Sequence, residues 1–290
     1  MKGLSAAIMA CALACFTPAV AQQRVQLPPE CVSNGQTTPD WDACLRVSPP
    51  GSRWRSLPLI NLGSEALQRG DYANAVRYYD EATPPGSTIT SDVSFHAFRA
   101  TAYWHVDRMP EALADAQLVY RMIRRDPTLP TPESDYFPPH IDTETMYALV
   151  LPILSDQHAP EFAPAMQSYL AIPARDWYSY ANRSAVLQEV GDPNGALIES
   201  QRALDLAPGE PSVLNNHCYI LHSLNRDAEA LPFCERALVA APHVAAVHHS
   251  LATVLAALHR CAESERALAN ARRIDSATVT YQSPIACTAS

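Results

Sequence analysis

RDWYSYANRSAVLQEVGDPNGALIESQRALDLAP (residues 175–208), GEPSVLNNHCYILHSLNRDAEALPFCERALVAAP (209–242) and HVAAVHHSLATVLAALHRCAESERALANARRIDS (243–276) follow one another without insertion, each 34 residues long. Set in register, they repeat their small residues. Ser184, Cys218 and Ala252 share one place, Ala196, Ala230 and Ser264 a second, and Ala203, Ala237 and Ala271 a third. Leu187, Leu221 and Leu255 hold a fourth, and Pro208, Pro242 and Ser276 close the blocks. A fixed period of this kind marks stacked units, none of which can bury its apolar face alone. Counted from Trp177, Pro211 and Ala245, the small residues fall at the eighth, twentieth and twenty-seventh places of a 34-residue unit. Small residues at fixed places let packed backbones approach closely, where a longer side chain would push them apart.

Two more units precede these in the same register. The first opens on Leu62-Gly63, turns at Gly70-Asp71-Tyr72, and completes the pattern with Ala75, Tyr79 and Ala82. The turn has a mechanism: Gly70 can take the left-handed conformation that ends one helix, while Asp71 caps the next and suits its positive end. Gly191-Asp192 repeats the device, and Asn225 replaces the glycine in the following unit. The second unit carries Ala100, Tyr103, Ala112 and Val119, with Val119 the one bulky residue at a close-packing place.

Period and small-residue places together resemble the tetratricopeptide repeat (TPR) family. The resemblance implies an all-α chain, built as a right-handed superhelical solenoid of antiparallel helical hairpins. It divides the chain into two hairpins over 56–127, a Pro-rich loop and divergent hairpin over 128–176, and three contiguous hairpins over 177–276. In the middle segment Pro127, Pro130, Pro132, Pro138 and Pro139 predict an extended loop. Thr143 to Ser155 and Pro160 to Leu170 then read as helices, with Val150, Phe162 and Tyr169 where small residues belong. This segment is either a widened hairpin within the solenoid or a break between two stacks. Residues 22–55 and 277–290 are the candidate end caps, since terminal repeats expose a face that a neighbour would bury.

The first 21 residues read as a secretory signal. Lys2 starts it, Gly3 to Phe16 is a short apolar run, and Ala19-Val20-Ala21 offers a small-x-small cleavage site. Acylation at Cys15 is the rival reading, although Ala12-Leu13-Ala14 departs from the usual Leu-small-small order. The expectation is an exported chain, periplasmic or secreted, cleaved near Ala21 and without a membrane-spanning segment. Lys2 is the only lysine; its loss leaves 20 arginines against 30 acids. So acidic a chain lacks the basic footprint that nucleic acid or anionic lipid requires.

Six cysteines remain after the signal: Cys31, Cys44, Cys218, Cys234, Cys261 and Cys287. In an oxidising compartment they predict disulfides. Cys218 and Cys234, at the eighth and twenty-fourth places of one unit, face each other across an antiparallel hairpin, so a bond between them is sterically reasonable. Cys287 lies in a tail long enough to fold back on Cys261, and Cys31 with Cys44 closes a short loop. That N-terminal segment, with Pro39-Asp40 before Cys44, also resembles exported bacterial TPR proteins. A competing reading of Cys218, His222 and Cys234 is a metal or redox site, because two ligands four apart on one helix can share an ion.

Catalytic signatures are missing. The sequence has no HExxH, no GxSxG, no phosphate-cradling loop and no dinucleotide fingerprint, so neither an enzyme nor a cofactor is predicted. The TPR resemblance points instead to a concave groove lined by the first helix of each hairpin. It assigns to that groove Trp104, Tyr178, Asn182, Gln188, Asn215, Asn216, Tyr219, His222, His249 and Thr253, with Ser94, Ala97, Thr101 and Ala185 beside them. The family's clamp for a C-terminal carboxylate needs a groove lysine, which this chain lacks. The expected role is a scaffold that binds a protein or peptide in the groove; a structural subunit of an envelope assembly, using the convex face, is the alternative. The sequence leaves oligomeric state open.

Overall fold

The computed structural model describes residues 27–32, 39–52, 54–83, 92–126, 141–276 and 279–288. The signal segment 1–21, nearly all of the Pro-rich loop and parts of both candidate caps lie outside the described residues. Two units partition the chain, 1–59 and 60–290.

In the first unit a 3-10 turn, Pro29–Cys31, and helix α1 (Trp41–Val47) are joined by the Cys31–Cys44 disulfide, with a Cα separation of 4.9 Å. Both sulfurs are buried. Asp40 caps α1 by accepting the Ala43 N–H at 2.9 Å, satisfying one of the helix's orphan donors. Beyond the helix, the Arg55 guanidinium donates to the Ser48 carbonyl at 2.7 Å.

The second unit is a run of helical hairpins, with no strand among the described residues. Its pairs are α2 (Ser56–Gln68) with α3 (Tyr72–Ala82), α4 (Val93–His105) with α5 (Met109–Arg125), and α6 (Thr143–Asp156) with α7 (Phe162–Ala171). These are followed by α8 (Trp177–Glu189) with α9 (Pro193–Leu206), α10 (Pro211–Ser223) with α11 (Asp227–Ala240), and α12 (Ala245–Ala257) with α13 (Cys261–Ile274). A single turn, α14 (Val279–Gln282), precedes the C-terminal tail. Helix α2 begins in the first unit and runs into the second.

Local chemistry explains the punctuation. Gly70 and Gly191 take φ of +73° and +85°, and Asn225 takes +58° at the same place of its unit. Asp107 and His259 also adopt the left-handed conformation there, two positions the composition did not mark as turns. Asp71, Asp92, Asp142, Asp176 and Asp192 each cap the next helix through a side-chain oxygen. Where arginine stands at that place, it pairs with the first-turn glutamate instead: Arg108 with Glu111, Arg226 with Glu229, and Arg260 with Glu263.

The eighth and twenty-fourth places oppose one another within a hairpin, as the repeat register requires. Gly63 meets the ring of Tyr79, and Cys218 is bonded to Cys234 with a Cα separation of 5.4 Å. The middle hairpin departs from the pattern for a simple reason: α6 has 14 residues where the other first helices have 13. Its left-handed turn residue, His158, therefore comes one place late. Helix α6 still packs on α4 and α5 to one side and on α8 to the other. Tyr169 of α7 is wholly buried, its ring 6.2 Å from that of Tyr147 on α6.

Polar links tie the stack internally. The Arg99 guanidinium on α4 donates to both Asp115 oxygens on α5, at 2.7 and 2.9 Å, and His96 Nδ1 lies 2.8 Å from the same carboxylate. Burial alone would raise the Asp115 pKa; the bonds from Arg99 and His96 outweigh it and hold the carboxyl below its usual range. At the other end of the unit the tail lies on the last hairpin, held by the Cys261–Cys287 disulfide. Arg272 donates to the Tyr281, Gln282 and Ser283 carbonyls. Ile285 packs into the core formed by Cys218, Leu251, Leu255 and Leu268, so the tail covers apolar surface that a further repeat would cover.

Candidate partner-binding cleft

Helices α4, α6 and α8 lie side by side and point the same way. Two hydrogen bonds establish this. Ser179 and Glu144, both near helix starts, are joined at 3.0 Å, while the Trp104 indole N–H reaches Asp156 Oδ2 at 3.4 Å near two helix ends. Arg183 of α8 adds an ion pair to Glu144 at 3.3 Å and donates to the Ile172 carbonyl. These three side chains are buried, so α6 and α8 are pinned at their N-terminal ends.

Between the three helices runs a cleft with a cavity volume of about 340 Å³. Thr101, Trp104 and His105 line it from α4, Thr145, Ala148, Leu149 and Pro152 from α6, and Tyr178, Asn182, Ala185, Val186 and Glu189 from α8. Its walls are mainly apolar and aromatic, with a few polar groups, the usual make-up of a recognition site. Tyr178 is 55% exposed and offers its ring to the opening. His105 stacks on Tyr72 with ring centroids 3.8 Å apart, and burial lowers its pKa. Burial has the opposite effect on Glu189, raising its carboxyl pKa, although the residue's overall surface is exposed.

The residues predicted for the groove separate into three groups. Trp104, Tyr178 and Asn182 share the cleft, together with Thr101 and Ala185. Gln188, Asn215, Asn216, Tyr219 and His222 lie outside it. Gln188 accepts from the Ser223 hydroxyl at 3.1 Å, and the buried Asn215 Oδ1 has no hydrogen-bond partner among the described residues. Tyr219 is 44% exposed. His222 Nδ1 lies 2.5 Å from Asp227 Oδ1. His249 and Thr253 sit on α12. There the His249 ring lies 5.2 Å from that of Tyr281, so the chain's own tail stands at this end of the predicted groove. Thr253 spends its hydroxyl on the Ser250 carbonyl.

Ser94 and Ala97 correct the expectation for α4: both are buried, 1% and 0% exposed, and neither lines the cleft. Helix α4 is packed against α3, α5 and α6, and these two residues lie within that packing. The α6 wall was missed altogether, because the register from which groove places were counted is lost in that segment. Its apolar residues, bounded by the Asp142 cap, were the available signal. Cys218 and Cys234 are bonded to each other and leave no thiolate, and His222 turns to Asp227, so the structure does not assemble the three-ligand metal alternative. Among the described residues no group of three or more His, Cys, Asp or Glu side chains converges to hold a metal ion. No described helix is long and apolar enough to cross a membrane.

No protein-family model matches the chain, and no curated protein is similar to it. Solved structures are similar in shape. A tetratricopeptide repeat protein from Parabacteroides merdae superposes with a TM-score of 0.59 at 12% identity, covering 83% of this chain and 87% of that one. The fold is that of a TPR solenoid. A second similarity, to the APC/C hetero-tetramer Cut9-Hcn1, has a TM-score of 0.52 at 14% identity and covers 83% of this chain but 44% of that one. At such identities the likeness establishes the fold alone. In TPR terms, α4, α6 and α8 are consecutive first helices, and the cleft lies on the face that these helices share.

Proposed function

We propose that this chain is an exported TPR-type scaffold that holds a protein or peptide partner on the face shared by its first helices, with the α4–α6–α8 cleft as the principal seat. The observation that carries this is the cleft itself: aromatic and apolar walls from three parallel helices, the Asn182 amide within them, and an opening to solvent beside Tyr178. An extended peptide fits such a surface by placing apolar side chains against Leu149 and Pro152 and backbone groups near Asn182. Rings such as Trp104 and Tyr178 supply much contact area at little entropic cost. Export is supported by the Lys2 to Ala21 signal pattern and by three disulfides, which persist in oxidising compartments.

The test is capture from periplasmic extract with tagged wild type and with Trp104→Ala plus Tyr178→Ala. A partner retained by wild type and lost by the double variant is the expected result. Equal recovery by both would move the binding face elsewhere. Intact mass of the exported chain starting at Gln22 checks the cleavage expectation. One observation favours the convex-face reading: Ile198, Leu206 and Val239 of α9 and α11 are 57%, 58% and 85% exposed. Polar substitution of all three abolishes assembly only if the chain is an envelope subunit using that face.

A further inference from the structure

The two ends of the cleft differ in charge. At the N-terminal ends of α6 and α8, Arg183 neutralises Glu144. At the opposite edge the C-terminal ends of α4 and α6 meet where the Trp104 indole reaches Asp156, and Trp104 and His105 of α4 line the cleft together with Glu189, the last residue of α8. Each helix end carries a partial negative charge from its unsatisfied carbonyls, and three parallel helices add theirs at one edge. Neither α6 nor α8 has a basic residue in its last turn, and α4 has only His105.

Two carboxylates stand at this edge as well. Asp156 accepts from the Trp104 indole and from the Gln157 amide, both neutral donors. Glu189 lines the cleft and makes no ion pair or hydrogen bond among the described residues. Among the described residues no arginine lines the cleft, although arginine supplies every other positive side chain beyond Lys2. The cleft therefore has a negative rim, no counter-charge of its own, and the aromatic faces of Trp104 and Tyr178, which attract cations through their ring quadrupoles.

We infer that the C-terminal edge of the α4–α6–α8 cleft receives a cationic side chain, a lysine or arginine carried by the bound peptide, against Glu189, Asp156 and Trp104. This deepens the groove reading above and rests on it. An acidic residue at that place would meet the like charges of Glu189 and Asp156, which sets the site against acidic peptides.

Three immobilised pools of acetylated, amidated octapeptides test it, identical except for a central lysine, norleucine or glutamate among apolar neighbours. The full exported chain, disulfides intact, should bind the lysine pool about fivefold better than the norleucine pool, the worth of one partly exposed ion pair, and should bind the glutamate pool worst. Glu189→Gln should erase the lysine preference, bringing the lysine and norleucine pools level, Asp156→Asn should lower it in the same direction, and added salt should weaken it. Equal binding of lysine and norleucine pools, or a preference that survives Glu189→Gln, overturns the inference and leaves the groove reading standing. Failure of all three pools to bind better than to the Trp104→Ala plus Tyr178→Ala variant overturns the groove reading itself.

Discussion

Gly63→Ala pits two effects of known size against each other. Gly63 lies inside α2, where alanine is the better helix former by about 1 kcal/mol, so propensity alone predicts a stabilised protein. Packing predicts the reverse. A Cβ at Gly63 would stand 2.6 Å from Tyr79 Cε1 and 2.8 Å from Cδ1. The ring has nowhere to go: it is 0% exposed, its hydroxyl lies 3.2 Å from Ser64 Oγ, and its edge meets Phe95 with centroids 5.5 Å apart. Relieving the clash means separating α2 from α3, and overpacking of this kind costs roughly 1–3 kcal/mol. The expected net effect is a loss of up to about 2 kcal/mol, local to the first hairpin. Because a repeat array need not unfold in one step, the assay is hydrogen exchange of α2 and α3 amides, read beside urea unfolding followed by circular dichroism. Tyr79→Leu provides the internal control: in that background the clash is gone, and Gly63→Ala should become neutral or stabilising. Unchanged or slower exchange in the single Gly63→Ala variant would refute the claim that close helix approach, not turn or helix chemistry, selects the residue at the eighth place.

Replacing Cys218 and Cys234 together by serine should lower stability by about 3 kcal/mol, the chain-entropy value for a loop of this size, measured by thermal unfolding with the other two disulfides intact. Asp115→Asn removes the charge that neutralises Arg99 in a buried setting and should cost about 3–5 kcal/mol, whereas Arg99→Met with Asp115→Leu should cost much less; a double-mutant cycle in urea decides this. Burial, with Arg226 nearby, holds His217 below the usual imidazole range, and burial does the same for His105 and His249. The unfolded chain therefore takes up protons first as pH falls through about 6.5, so stability declines below that pH by up to about 1.4 kcal/mol per pH unit for each histidine. His217→Asn should flatten the slope of the urea midpoint between neutral pH and pH 5.5.

How far the site could be read from sequence follows from where the register holds. Trp104, Tyr178 and Asn182 were placed on one face by counting from close-packing residues, and the structure brings them to one cleft. Leu149 and Pro152 escaped because α6 is one residue longer than its counterparts, which breaks the count at the segment that forms the cleft floor. His249 was counted correctly onto α12, but no periodicity reveals that Tyr281 would lie beside it, because the tail follows no repeat. Turns were legible where glycine or asparagine marks a left-handed residue. They were hidden at Asp107, His158 and His259, which take the left-handed conformation without glycine or asparagine to mark it.

By itself the sequence determined the hairpin, its period and its opposed places, because close helix packing tolerates few residue types and so leaves a strict imprint every 34 residues. Only the tertiary structure decided which surfaces remain open. Exposure depends on what the neighbouring helix or tail covers: Ser94 and Ala97 are buried within the stack around α4, and the tail reaches His249. Charge at the cleft edge is likewise a tertiary property, since Trp104, Asp156 and Glu189 lie far apart in sequence and are brought to one edge by the stacking of their helices: Trp104 bonds to Asp156 and lines the cleft with Glu189.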